Sequence, residues 1–138
     1  MSTEKANIQF LNTIVKESHI VFNRPGNYKI DINFIPSGIV LSSLNQFILH
    51  LKTNIRDVEN GFHIEILTES TFSYPEEADI EEYKKSLFIT NAPAIVFPYI
   101  RAYISSLTAL SGLPVLTLPT LIMSEVGKTL SENITIQE

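Results

Sequence analysis

Apolar and polar residues alternate along the first half of the chain with the two-residue period of β-strands. The pattern is strict from Tyr28 to Phe34: Tyr28, Ile30, Ile32 and Phe34 share one face, and Lys29, Asp31 and Asn33 the other. Pro36-Ser37-Gly38 is expected to break this strand, with residues 39–43 resuming it after a bulge. Phe47, Leu49, Leu51 and Ile55 then face away from His50, Lys52, Asn54 and Arg56, and Phe62, Ile64 and Ile66 away from His63 and Glu65. A shorter β-prone stretch, residues 17–22, precedes these and is closed by Asn23-Arg24-Pro25-Gly26-Asn27. Glu59-Asn60-Gly61 predicts a type I′ hairpin, because Asn-Gly readily takes two positive φ values. Together these predict a four-stranded antiparallel sheet with one dry and one wet face.

Beyond Tyr74-Pro75 the period changes. Residues 79–87 predict a short helix, acidic early and basic late, as the helix dipole favours. The main helix is expected from Phe97 to Ser111, with Pro98 in its first turn and Gly112 at the C′ position. Phe97, Ile100, Tyr103, Ile104, Leu107 and Leu110 give it a broad apolar stripe. The proline-containing connector Leu113–Pro119 leads to a second helix over residues 121–130. The fold class is therefore α+β. It forms a single domain over residues 1–138, with a core of about 17–131 and flexible termini. One helix, about 10 Å wide, cannot cover four strands spaced about 4.8 Å apart. A homo-oligomer is the expected remedy.

Composition sharpens that point. Of 138 residues 44% are hydrophobic and only 18% charged, against roughly 25% charged in ordinary soluble domains. Mean hydropathy is +0.14. Surplus apolar surface has to meet a partner chain, a ligand or a membrane. The net charge of −5, with no basic cluster, argues against nucleic acid. The absence of cysteine excludes disulfides and thiolate metal sites. Met1-Ser2-Thr3-Glu4-Lys5 lacks the layout of a signal peptide, so a cytoplasmic location is expected. Residues between Arg101 and Glu125 carry no charge, but serines, threonines, Pro114 and Pro119 interrupt the run. A buried helix followed by a connector is expected there rather than membrane insertion.

Catalytic chemistry finds little support. Neither a phosphate-cradling glycine loop, a nucleophile elbow nor an H-E-x-x-H helix occurs, so the chain reads as no enzyme and as needing no cofactor. His63-x-Glu65 lies on one strand face, and with His19 on a neighbouring strand it could hold a metal or small ligand. A solvated outer sheet face explains the same residues more simply.

The segment Asn91-Ala92-Pro93-Ala94-Ile95-Val96-Phe97-Pro98-Tyr99-Ile100-Arg101 resembles the C-P-N-I-L-F-P-Y-A-R block that opens the long helix of SecB export chaperones. Ser111-Gly112-Leu113-Pro114-Val115-Leu116-Thr117-Leu118-Pro119 resembles their G-G-F-P-x-L-x-L-x-P connector, at matching spacing. Phe62-His63-Ile64-Glu65-Ile66 and Phe22-Asn23-Arg24-Pro25 are similar to the family's F-L-x-E-V and F-E-A-P. The resemblance covers most of residues 17–123. It implies an ATP-independent holdase, a dimer of dimers, that binds unfolded or precursor polypeptides in apolar grooves during export. Tyr28, Ile30 and Ile32 map onto the groove, and Phe47, Phe72 and Tyr74 onto its aromatic neighbours. Phe34 and Leu49 extend the same apolar stripe, which reads equally as core. The family docks the SecA motor through acids on the outer sheet face. By that resemblance the acids of the first strand become His19 and Asn23 here, Glu65 of the fourth strand is retained, and His63 takes the family's apolar position before it. A chaperone dedicated to a toxin–antitoxin client is the alternative that this rewritten face suggests.

Overall fold

The computed structural model describes residues 8–138 apart from Ile122. Of the terminal stretches outside residues 17–131 for which flexibility is expected, residues 1–7 lie outside the described residues, while residues 9–16 and 134–137 are strand. In chain order the elements are β1 (Gln9–Phe22), β2 (Ile30–Leu41), β3 (Gln46–Asp57), β4 (Phe62–Ser73), α1 (Ile80–Tyr83), α2 (Leu87–Leu110), α3 (Ser124–Ser131) and β5 (Ile134–Gln137). The architecture is α+β, as the pattern predicts, but the sheet is not the expected four-stranded antiparallel one. It has five strands in the order β1-β4-β3-β2-β5, and β5 runs parallel to β2. Ile134-Thr135-Ile136-Gln137 is too short an alternation to distinguish from a tail by pattern alone.

Register keeps one apolar set on one face. Ile32 faces Ile55, which faces Ile64, which faces Ile20; Val40, Phe47, Phe72 and Phe10 form a second such row. Two irregularities in β1, at Phe10/Asn12 and Val15/Glu17, preserve this facing along a strand eight residues longer at its start than its sequence suggests. Pro36-Ser37-Gly38 does not break β2, which pairs with β3 without interruption from Ile30 to Leu41. Pro36 is harmless because even-numbered β2 residues point their backbone groups away from β3, where a missing N–H costs no ladder bond. Gly38 is required: a Cβ there would lie 2.6 Å from the Phe47 ring, which packs across the β2 backbone.

The long helix starts ten residues earlier than expected, at Leu87, with Pro93 and Pro98 both inside it. Its buried row, Phe88, Ala92, Val96, Ile100 and Ile104, repeats every four residues and lies on the sheet's inner face. Phe88 stacks on Phe47 with ring centroids 4.2 Å apart. Pro93 deprives the Ile89 carbonyl of its helical donor. Gly127 of α3 packs directly on that carbonyl, where any Cβ would collide. Pro98 likewise frees the carbonyl of Ala94, which sits on the exposed side of the helix within reach of water. At the far end, Gly112 takes φ +79° while Leu113 N–H donates to Thr108 O at 3.0 Å, a Schellman closure at the expected position.

A candidate client-binding groove

An apolar groove opens where the end of β1 and the starts of β2 and β4 meet the connector after α2. Its cavity is about 340 Å³, lined by Phe22, Tyr28, Ile30, Phe62, Ile64 and, from the helix side, Thr108 and Leu113–Leu116. Phe22, Ile30 and Val115 are 46%, 41% and 61% exposed. Such exposure of large apolar groups in a concave site is uncommon without an occupant.

Each wall is held by a polar clip. On the sheet side the carboxylate of Asp57, itself buried, accepts from Lys29 N–H and Gly61 N–H, each at 2.9 Å, and from Arg24 Nη2 at 3.0 Å. Burial alone would raise its pKa. The N–H groups of Lys29, Gly61 and Glu59 and the Arg24 charge outweigh burial and hold it below the usual carboxylate value. Arg24 also reaches Glu59 at 3.2 Å, and its carbonyl accepts from the Tyr28 hydroxyl at 2.8 Å. The Tyr28 ring, thus anchored, meets Phe62 edge-on at 4.7 Å. On the helix side Thr108 Oγ1 accepts from Leu116 N–H at 2.9 Å, and Ser105 Oγ donates to Leu116 O at 3.0 Å. These two bonds pin the connector as the opposite wall.

The hairpin between β3 and β4 serves the same rim and differs from the expected type I′ turn. Asn60 alone takes a positive φ, +62°. Gly61 is needed for crowding rather than for φ, since a Cβ would lie 2.7 Å from Asp57 Oδ2 and 2.8 Å from Tyr28 Cε1.

The residues singled out by sequence divide into three groups. Tyr28 and Ile30 line the groove, and Ile32 and Phe34 continue from it along β2, half-buried. Phe34 meets Phe97 of the helix edge-on at 6.2 Å. Phe47, Leu49 and Phe72 are wholly enclosed in the chain's own core, and Tyr74 nearly so. Burial pushes the Tyr74 hydroxyl's pKa up. Phe22, Phe62, Ile64 and Leu113–Leu116 line the groove without having been singled out as site residues. Alternation already placed Phe62 and Ile64 on the dry face; which part of that face stays open depends on where the helix ends.

The four docking positions lie on or beside the outer face. His19 is directly across from Glu65, and His63 pairs with Val21 and Arg56. Glu65 is tied to Lys52 Nζ at 3.0 Å; that bond outweighs partial burial and, helped by the charges of Lys52, His63 and His19, holds its pKa below normal. Asn23 is used structurally, its side chain donating to Asn60 O at 2.9 Å. No metal-holding group of His, Asp and Glu occurs among the described residues. The helix Leu87–Leu110 is long and apolar enough to cross a bilayer by length and composition, yet its buried row is spent on the sheet.

No family model matches the chain. Two curated proteins named protein-export protein SecB, from Orientia tsutsugamushi strains Boryong and Ikeda, are each 36% identical over 87 residues, or 61% of this chain. The match covers 51% and 49% of their sequences, so the chain spans about half the length of the curated relatives it matches. Among solved structures, the Mycobacterium tuberculosis Rv1957 SecB-like chaperone, in complex with a ChAD peptide from the Rv1956 HigA1 antitoxin, superposes with a TM-score of 0.68. It is 20% identical, with 83% of this chain and 91% of that one covered. A Streptococcus agalactiae protein of unknown function superposes with a TM-score of 0.50 at 10% identity, covering 82% of this chain and 97% of that one. At these identities the structural likeness concerns fold.

Proposed function

We propose that this chain, a divergent SecB-like protein by sequence and by fold, is an ATP-independent holdase that binds unfolded polypeptide through the groove between β2 and the connector. The open apolar cavity flanked by Phe22, Ile30 and Val115 is the observation that carries this reading. Several side chains of a client can each be buried there at about 25 cal/mol per Å², without sequence specificity. The groove offers hydrophobic area and no reacting group, so the role is binding rather than catalysis, and no cofactor is needed. Tyr28, Ile30, Ile32 and Phe34 form the client path; Phe47, Leu49, Phe72 and Tyr74 support it from beneath. The working location is the cytoplasm, where SecB-like chaperones meet nascent precursors. Purified protein at equimolar ratio should suppress aggregation of a chemically unfolded client diluted into buffer. Undiminished aggregation would remove the holdase reading.

A second reading keeps the groove and narrows the client to one partner, such as an antitoxin. Two observations favour it over general export: the structural neighbour was solved with an antitoxin peptide, and two of the positions at which the resemblance implies motor-docking acids are not acidic here. His19 and Asn23 replace acids, and Glu65 is committed to Lys52. Tight SecA binding in a pull-down would count against the narrowed role.

A further inference from the structure

The last strand, β5, occupies the edge of the same strand that supplies Ile30 to the groove. It pairs with β2 only from Gly38 to Leu41, with Gly38 N–H donating to Asn133 O at 3.0 Å and Ser42 Oγ donating to Gln137 O at 3.2 Å. The attachment is slight. Thr135, Ile136 and Gln137 are exposed, only Ile134 is half-buried, and the pairing is parallel, the weaker geometry per residue. Short exposed strands of this kind open at the low-stability end of a structure. What the edge accepts is written in β5 itself. It takes an extended segment with aliphatic β-branched residues at alternate positions, the first of which sits against Gly38 beside the Phe47 ring.

The edge also runs on toward the groove. Lys29 O accepts from Val58 N–H on the β3 side, so the even-numbered residues Ile30, Ile32 and Phe34 turn their backbone groups to the same free edge as Gly38. Pro36, with no N–H to give, separates the open stretch from the stretch that β5 covers. From Ile30 to Gly38 is about 26 Å of extended chain, so one client segment of about eight residues spans from groove to β5.

We propose that β5 is a replaceable strand: an extended, β-branched segment of an unfolded client displaces it from Gly38–Leu41 and completes the sheet in its place. This rests on the holdase reading and adds to it a built-in competitor for client. Because the chain has no cysteine, β5 can be locked uniquely by Leu41→Cys with Gln137→Cys, which are register partners. It can be released by Thr135→Pro, an exposed position where proline disrupts the ladder and leaves the core alone.

Binding of a permanently unfolded chain, reduced and carboxymethylated α-lactalbumin, is then titrated against the parent, the lock in oxidised and reduced forms, and the release variant. If β5 covers the edge nine-tenths of the time, release tightens binding by up to about tenfold. The oxidised lock weakens binding, and reduction restores it. Equal affinity of the oxidised and reduced lock, with the parent binding normally, overturns the replaceable strand and leaves the holdase reading standing. No binding by the parent overturns both.

Discussion

Asp57 shows how a single residue sets the groove. Its carboxylate gathers Lys29, Gly61 and Arg24, and through Arg24 it positions the Tyr28 ring that forms one wall. Its folded-state pKa lies below the unfolded value despite burial, because three N–H groups and one guanidinium favour the charged form. The stabilisation is therefore complete above the ordinary carboxylate range and is lost as pH falls through the folded value. Unfolding midpoints measured across acid pH should fall steeply for the parent. They should start lower and fall less for Asp57→Asn, which offers these donors no charged acceptor. Parallel acid limbs would remove Asp57 from this role. Sequence pattern did not single out Asp57, which follows an alternation ending at Arg56; nothing in that pattern distinguishes a buried acid from a surface one. Gly61 was legible as a turn residue but for another reason than the one that holds, since crowding against Tyr28 exists only once the loops have met.

At the scale of elements, the central strands were the most legible part of the chain. In β3 and β4 every second residue is buried, so the period of the sequence is the period of burial. The start of α2 was not legible, because Pro93 and Pro98 look like boundaries while tertiary packing of Phe88 and Ala92 carries the helix past both. The two prolines differ in what they cost. Pro93 is buried and its orphaned acceptor faces Gly127, whereas Pro98 is exposed and leaves the Ala94 carbonyl to water. Pro98→Ala should restore a helical bond and raise stability by about 1–3 kcal/mol, read from denaturant unfolding at unchanged slope. A loss of stability would mean that the bend at Pro98 is needed for packing. β5 escaped sequence reading for the opposite reason: its four residues bury almost nothing, and their place depends on an edge made a hundred residues earlier.

Across the whole molecule, the apolar surplus evident in composition is distributed rather than hidden. Leu11, Ile14 and Val21 are exposed on β1, whose outer edge has no strand beside it among the described residues, and Tyr99 and Leu110 are exposed on α2. Apolar edge strands of this length invite pairing with another chain. We propose a homo-oligomer in which β1 and α2 are covered and the groove is left open; the dimer of dimers is the form that the resemblance to SecB implies. Sedimentation equilibrium should give a multiple of the 15.5 kDa chain mass at micromolar concentration. A strictly monomeric protein would leave these surfaces without a role. The groove is the part of the site that sequence showed least clearly. Alternation supplied Ile30 and Ile64, and the prolines after Gly112 supplied the connector, but the Thr108 and Asp57 clips bring the two walls together around open space.

The central claim is tested most directly by titrating a permanently unfolded polypeptide against the parent protein and against Ile30→Asp and Val115→Asp, with thermal unfolding as the control for fold. Both residues are exposed at the groove, so neither change disturbs the core. Losing an apolar side chain's burial of about 1.5–3 kcal/mol predicts affinity weaker by roughly 10- to 100-fold for each. Client affinity unchanged in both variants, with the fold intact, would contradict the groove as the binding site.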